Sequence, residues 1–198
     1  MAPHNLTMTV IGGALLWFGW FGFNGGSAVA SGALATSAFV VTHIATAGAT
    51  LSWMLVEWMH RGKPTALGAV SGAVAGLVAI TPASAFVGPL PALLIGIVGG
   101  AICYGAVSLK PKFGYDDSLD VVGVHGVGGT WGALATGLFA SKFIDSAGAD
   151  GLFFGNPGQL GIQALTVVAA WVYSFILTLI ILKVLDAVVG LRVSQEDE

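Results

Sequence analysis

One histidine, His125, lies in the middle of an apolar, glycine-rich run that extends from Val121 to Gly129. Imidazole takes up and releases protons near neutral pH, so the chemistry expected at this position is proton transfer. An ionisable side chain at the depth of a membrane span is costly and is by default a functional-site candidate. We therefore interpret His125 as a candidate site residue, with a structural histidine hydrogen-bonded between helices as the alternative.

The spacing around His125 predicts which residues accompany it. On a regular α-helix, one face would carry Val121, His125, Gly128 and Gly132. The imidazole would then project over apolar or absent side chains, as in a narrow and dry pore. Asp120 lies off this face, and we predict that Asp117, Ser118 and Asp120 are N-cap and first-turn residues that stabilise the start of the helix through its free N–H groups and its dipole.

A second candidate group comprises Leu16, Trp20, Phe23 and Ser27, which are spaced four, three and four residues apart and so share a helix face. Aromatic faces attract cations, by ~2 kcal/mol or more when desolvated. A hydroxyl oxygen accepts hydrogen bonds from N–H donors. These groups could replace water around a small ammonium ion. The alternative is that Trp20 and Phe23 are only membrane-interface or packing residues. For a second histidine in an apolar run, His43, we predict packing at a helix interface.

The composition identifies the class of protein. Charged residues make up 9% of the 198, hydrophobic residues 56%, and glycine occurs 30 times. The mean hydropathy is +0.88, which indicates an integral membrane protein with closely packed helices. The net charge of -3 suggests no nucleic-acid partner. Cys103 is the single cysteine, and no pattern of ligands or catalytic groups predicts a metal, a cofactor or an enzyme.

Six apolar runs are candidates to cross a bilayer of roughly 30 Å. We predict spans at 6–30, 35–58, 66–80, 92–109, 119–140 and 160–182, within a helical half-bundle of residues 1–190. The runs lack the alternating pattern of a membrane barrel. The predicted fold class is therefore an all-α integral membrane protein with six transmembrane helices.

The basic residues predict the orientation in the membrane. Six of the seven lie on one side of the predicted spans, namely Arg61, Lys63, Lys110, Lys112, Lys183 and Arg192, and only Lys142 lies on the other. The positive-inside rule then places both termini in the cytoplasm of a multi-pass protein of the inner (plasma) membrane, in contact with lipid. The longest outer loop, 141–159, carries Asp145 and Asp150 besides Lys142, a net charge of -1, so we expect no basic barrier to a cation that approaches from outside.

Several motifs along the chain carry a family resemblance. They are Gly19 to Asn24 with Ser27, Glu57-Trp58 followed by Gly62 to Thr65, Gly76 to Ala83, Asp120 to Val127, and Val189 to Val193. With these motifs the chain resembles the C-terminal half of bacterial ammonium transporters of the Amt family, relatives of the Rh proteins. The resemblance implies one half of an inverted-repeat bundle plus its final helix.

The resemblance also implies roles for individual residues. Trp20, Phe23 and Ser27 match the outer vestibule, with Phe23 as a gate ring and Ser27 as an acceptor for bound ammonium. His125 matches the second histidine of the pore pair, Val121 and Leu16 match apolar pore-lining positions, and Asn24 and Asp120 are structural residues near the pore. The family forms homotrimers that recruit ammonium, deprotonate it, and pass ammonia and a proton separately or in relay.

The chain also departs from the family pattern, because members have eleven spans and the whole first repeat is absent here. We expect a fragment of a full transporter; the alternatives are a half-protein that pairs with a first-half chain and a self-assembling one. The tail, 191–198, is shorter than the family's, and PII signalling proteins could bind the cytoplasmic loops. The rival functions are a non-conducting ammonium sensor or assembly module and a neutral-solute channel.

Overall fold

A computed structural model describes residues 3–193, and these form six α-helices without any strand. The helices are α1 (Leu6–Gly25), α2 (Ala33–Arg61), α3 (Ala66–Ile80), α4 (Pro89–Phe113), α5 (Val127–Phe139) and α6 (Pro157–Val188). A π-helical turn, Val122–Gly126, leads directly into α5. The predicted all-helical membrane fold is confirmed, whereas the tail residues Ser194 to Glu198 lie outside the described residues.

The helix boundaries follow local sequence signals. Asn5 and Thr65 cap α1 and α3 by accepting hydrogen bonds from Met8 N and Gly68 N, as expected of Asn and Thr at N-caps. α4 and α6 begin at prolines, which tolerate the first helical position because the N–H they lack would be unpaired there. α3 covers the predicted residues 66–80, whereas α1 stops before the predicted residue 30 and continues only as a 3₁₀ turn, Gly26–Ala28.

Five segments of the described chain are long and apolar enough to cross a membrane: Leu6–Ala28, Ala33–Arg61, Ala66–Ala83, Pro89–Phe113 and Pro157–Val188. α5 itself, with 13 residues, is shorter than these segments and packs against α3, α4 and α6. The individual span limits in the membrane stay predictions, but the helices that would form them are present.

α2, α3 and α4 form the centre of the bundle through close backbone contacts at glycines. A methyl group at Gly76 would lie 2.7 Å from the Cβ of Ala49, and one at Gly96 would overlap the carbonyl oxygen of Ala45. In lipid, such small residues allow the close van der Waals packing that holds helices together. Glycines therefore allow the close helix packing that the composition predicts, at least between α2, α3 and α4.

α6 lies at the edge of the described chain, and none of its residues is buried. It contacts α5, where the Nε1–H of Trp171 donates a hydrogen bond to Thr130 Oγ1 at 2.9 Å. The Trp171 ring also lies against Gly126, whose added methyl group would be 3.1 Å from it. α5 and α6 together border an open groove that includes His125.

Candidate functional site

A cavity of about 340 Å³ lies where the end of α1, the start of α2 and the loop after α3 meet, and we call it the outer cavity after the orientation that the basic residues predict. Its wall includes Phe23, Asn24 and Ser27 from the α1 end, Thr81 from the loop after α3, and Asp145 from the loop before α6. Phe23 is 60% exposed, so its ring is available at the mouth of the cavity. The cavity therefore combines an aromatic face with several polar oxygens.

The indole of Trp20 is held beside this aromatic face. Its ring centroid lies 5.3 Å from that of Phe23, and its Nε1–H donates a hydrogen bond to Thr81 Oγ1 at 2.8 Å. The Thr81 hydroxyl in turn donates to the carbonyl oxygen of Leu77 at 2.7 Å. The sequence placed Trp20 and Phe23 on one helix face, but the partner that orients the indole comes from the end of α3.

Ser27 presents an oxygen that is committed to accepting hydrogen bonds. Its hydroxyl donates to the carbonyl oxygen of Phe23 at 2.6 Å, so the proton is used within the helix end. The lone pairs that remain on Oγ can accept from an N–H donor in the cavity. The sequence analysis expects a hydroxyl oxygen of this kind to accept a hydrogen bond from a cation with N–H groups.

Asn24 offers a second acceptor at the same cavity. Its Nδ2 donates to Thr42 Oγ1 at 2.9 Å, and the Thr42 hydroxyl donates to Ala38 O at 2.6 Å. Because the Thr42 hydroxyl already donates its proton to Ala38, its oxygen must accept the hydrogen bond from Asn24. The amide atom of Asn24 that faces Thr42 is therefore the nitrogen. The amide oxygen of Asn24 is left as an acceptor, although only 5% of the residue is exposed.

His125 lies in the π turn before α5 and is exposed. It borders both the groove next to α6 and a separate cavity of about 390 Å³, whose wall also includes Val74, Asp120 and Val124. No hydrogen bond to the imidazole occurs within residues 3–193, so the alternative of a histidine bonded between helices is not seen there. The cavity at Phe23 and this cavity at His125 are distinct, with different wall residues.

The residues predicted to share one helix face differ in burial, and the common face of Val121, His125, Gly128 and Gly132 stays a prediction. Gly128 and Gly132 are buried: a methyl group at Gly128 would lie 3.0 Å from Cys103 Sγ, and one at Gly132 would overlap the carbonyl oxygen of Ala79. Val121 and His125 are exposed instead. The π turn lies between the first and the last of these residues, so their side chains depart from the directions of a regular α-helix.

Acidic residues position the start of the His125 helix in two different ways. Asp117 caps it as predicted, its carboxylate oxygens accepting from Val121 N at 2.8 Å and Val122 N at 2.9 Å. The side chain of Asp120 does not cap; it forms an ion pair with Lys110 of α4, and its backbone has a left-handed φ of 58°. Lys110 also donates to Asp117 O at 2.7 Å. Sequence reasoning counted Lys110 only as a marker of orientation and missed this contact.

His43 of α2 is exposed and contacts two aromatic rings of α1, and its predicted packing role at a helix interface stays a prediction. Its ring centroid lies 5.3 Å from that of Trp17 and 5.9 Å from that of Phe21. The other predicted pore residues are on open surfaces, Leu16 being 49% and Val121 47% exposed. Within residues 3–193, no group of three or more potential metal ligands is present.

The sequence model described as Ammonium Transporter Family matches residues 1–198. The chain belongs to this family. It is 54% identical over 198 residues to an ammonium transporter of Bacillus subtilis, covering 100% of this chain and 49% of that protein. The curated relatives that it matches are thus about twice as long as this member of the ammonium transporter family.

Solved structures of related proteins have the same fold. Saccharomyces cerevisiae Mep2 matches with a TM-score of 0.94 at 38% identity, over 98% of this chain and 45% of that one. A protein named Sensor Amt Protein matches with a TM-score of 0.89 at 35% identity, over 98% of this chain and 47% of that one. This ammonium transporter family member therefore has the helix arrangement of about half of each of those chains.

Proposed function

We propose that this chain contributes one side of a pathway for ammonium and ammonia across the inner (plasma) membrane, with its termini in the cytoplasm. The observation that carries the proposal is the outer cavity, where the exposed ring of Phe23 lies beside an Oγ of Ser27 that can only accept. An aromatic face and oxygen acceptors are the groups that suit a small cation with N–H donors. Family membership is consistent with that ligand.

Past this cavity the substrate travels as ammonia. Removing the water around a cation in a dry, apolar passage is very costly, whereas the neutral molecule carries no such cost. Leu16 and Val121 supply apolar wall, and His125 relays the proton, because imidazole exchanges protons near neutral pH. Deprotonation between the outer cavity and His125 is therefore the step that makes the pathway selective.

The chain acts together with further protein. His125, Leu16 and Val121 lie on open surfaces of the described residues, so a closed pore needs walls from elsewhere. A first-half chain or segment is the leading source, and a second copy of this chain is the alternative. Assembly as a homotrimer and binding of a PII signalling protein at the cytoplasmic loops belong to the same proposal.

The test measures the current evoked by an ammonium jump in proteoliposomes. One preparation holds the 198-residue chain alone, and the other holds a chimera in which this chain replaces the matching residues of the Bacillus subtilis relative. We expect current from the chimera, and its loss or uncoupling from protons in His125→Ala. The chimera with Phe23→Ala should discriminate less well between cations.

Each outcome of this test has a definite meaning. Current from the chain alone supports self-assembly of a pore. Current from the chimera without current from the chain alone supports the proposal that this chain forms one half of a pathway. Unaltered currents and selectivity in both variants contradict the site assignment. Water permeation that persists without any ammonium-dependent current favours the neutral-solute channel.

A second candidate function is a non-conducting ammonium sensor. The fold match to the Sensor Amt Protein favours it, since the same helix arrangement occurs in a protein with that name. Ammonium binding to the chimera without current, accompanied by altered binding of a cytoplasmic partner, would support this function over transport.

A further inference from the structure

Asp145 brings a carboxylate from the loop before α6 to the outer cavity. It borders the same space as Phe23, Asn24 and Ser27. Of the described residues that form the wall of this cavity, Asp145 alone carries a full charge; the others are apolar, hydroxyl or amide side chains. The family resemblance assigned no role to this residue, and neither does the mechanism proposed above.

Backbone contacts hold the segment that carries Asp145 in place. Ser141 N donates to Phe86 O at 2.9 Å, Ile144 N donates to Ser141 O at 3.0 Å, and Gly148 N donates to Asp145 O at 3.0 Å. Gly148 also lies so close to the Phe86 ring that an added methyl group would be 2.9 Å from Cδ1. Phe86 itself belongs to the cavity wall. The turn that carries Asp145 is thus held against Phe86 in the wall of the outer cavity.

Within residues 3–193, Asp145 forms no ion pair, although Lys142 belongs to the same loop. One carboxylate oxygen accepts from Ala147 N at 3.0 Å. A hydrogen bond from one backbone amide leaves the negative charge in place and leaves lone pairs on the second oxygen. A fixed negative charge in the wall of a cleft concentrates cations there, because the low-dielectric protein around the cleft focuses its field.

We propose that Asp145 is a cation-recruiting residue of the outer cavity. It attracts a small monovalent cation with N–H groups, such as ammonium or methylammonium, before the cation contacts Phe23 and Ser27. This inference rests on the proposed function for its physiological substrate, but the binding step that it describes does not require transport. The charge acts on the entering cation and not on neutral ammonia, so it changes the half-saturating concentration rather than the maximal rate.

The experiment compares Asp145→Asn with Asp150→Asn in the chimera described above. Both variants remove one negative charge from the same loop. Both keep an oxygen for the backbone hydrogen bond that the aspartate accepts, from Ala147 N in one case and from Lys142 N at 2.8 Å in the other. Asp150 is not in the cavity wall, so it is the matched control.

We expect Asp145→Asn to raise the half-saturating ammonium concentration about three- to tenfold, with the maximal current within about twofold of the parent. Asp150→Asn should raise it less than about twofold. The difference should shrink between ionic strengths of about 0.01 M and about 0.15 M, where the Debye length falls from about 30 Å to about 8 Å. Asp145→Glu should restore most of the affinity.

A binding measurement separates this inference from the proposed function. Methylammonium binding to the parent chimera and both variants is followed by saturation-transfer NMR, which needs no current. Weaker binding in Asp145→Asn alone, in a parent without current, would support recruitment and reject transport. Equal affinities of Asp145→Asn and Asp150→Asn, in current or in binding, would overturn the assignment of Asp145.

Discussion

Replacing Asp117 by alanine should release the start of the helix that carries His125. The substitution removes both hydrogen bonds that the carboxylate accepts, from Val121 N and Val122 N. Loss of an N-cap side chain costs about 0.5–2 kcal/mol, and loss of a negative charge at a helix N-terminus costs about 0.3–1 kcal/mol more. The local opening free energy at these amides should therefore fall by about 1–3 kcal/mol.

Amide hydrogen exchange measures this change directly. A decrease of about 1–3 kcal/mol corresponds to exchange at Val121 and Val122 that is faster by about 5- to 150-fold, because exchange of protected amides reports local opening. The neighbouring Asp116→Ala is the control, since its carboxylate lies 3.0 Å from Arg192 in a pair whose side chains are 69% and 67% exposed. Such exposed pairs contribute about 0–1 kcal/mol.

The two substitutions should also differ in their effect on transport. If the cap holds the π turn in register, Asp117→Ala should impair proton-coupled current in the chimera, whereas Asp116→Ala should not. Equal exchange rates at Val121 and Val122 in the parent and in Asp117→Ala would refute the reasoning, because the two hydrogen bonds would then contribute nothing to holding this helix start.

Three further predictions concern packing and polar contacts. Gly96→Ala should lower the unfolding free energy by about 1–3 kcal/mol, because the added methyl group overlaps the backbone of α2. The control is Gly105→Ala in the same helix, where nothing lies within 4 Å of the added methyl group, and it should be neutral or stabilising. Equal thermal stability of the two variants would contradict the packing argument. Trp20→Phe should cost about 0.5–1.5 kcal/mol in thermal unfolding, through loss of the indole hydrogen bond, and an unchanged stability would argue against that bond. Lys110→Met should lower the unfolding free energy by about 1–2 kcal/mol, because it leaves the partly buried carboxylate of Asp120 unpaired. Most of this loss should be absent when Asp120→Asn is already present. Additive losses in the double variant would contradict the ion pair.

The residue types and their spacing were sufficient to predict the class of protein and the proximity of Trp20 and Phe23. Hydropathy identified the helices, because a chain in lipid must satisfy its backbone hydrogen bonds within each segment. α3 matched its predicted limits, since Thr65 caps its start and Thr81-Pro82 comes directly after its end. Trp20 and Phe23 are neighbours because three residues separate positions on one face of a regular helix.

Only the tertiary structure decided what surrounds His125 and which charges meet. The hydropathy pattern did not predict the π turn that contains His125, and the burial of Gly128 and Gly132 depends on contacts with α3 and α4. The ion pair between Lys110 and Asp120 and the position of Asp145 at the outer cavity depend on how loops return to helices far away in the chain. Periodicity acts within one helix, whereas such contacts arise from the packing of several.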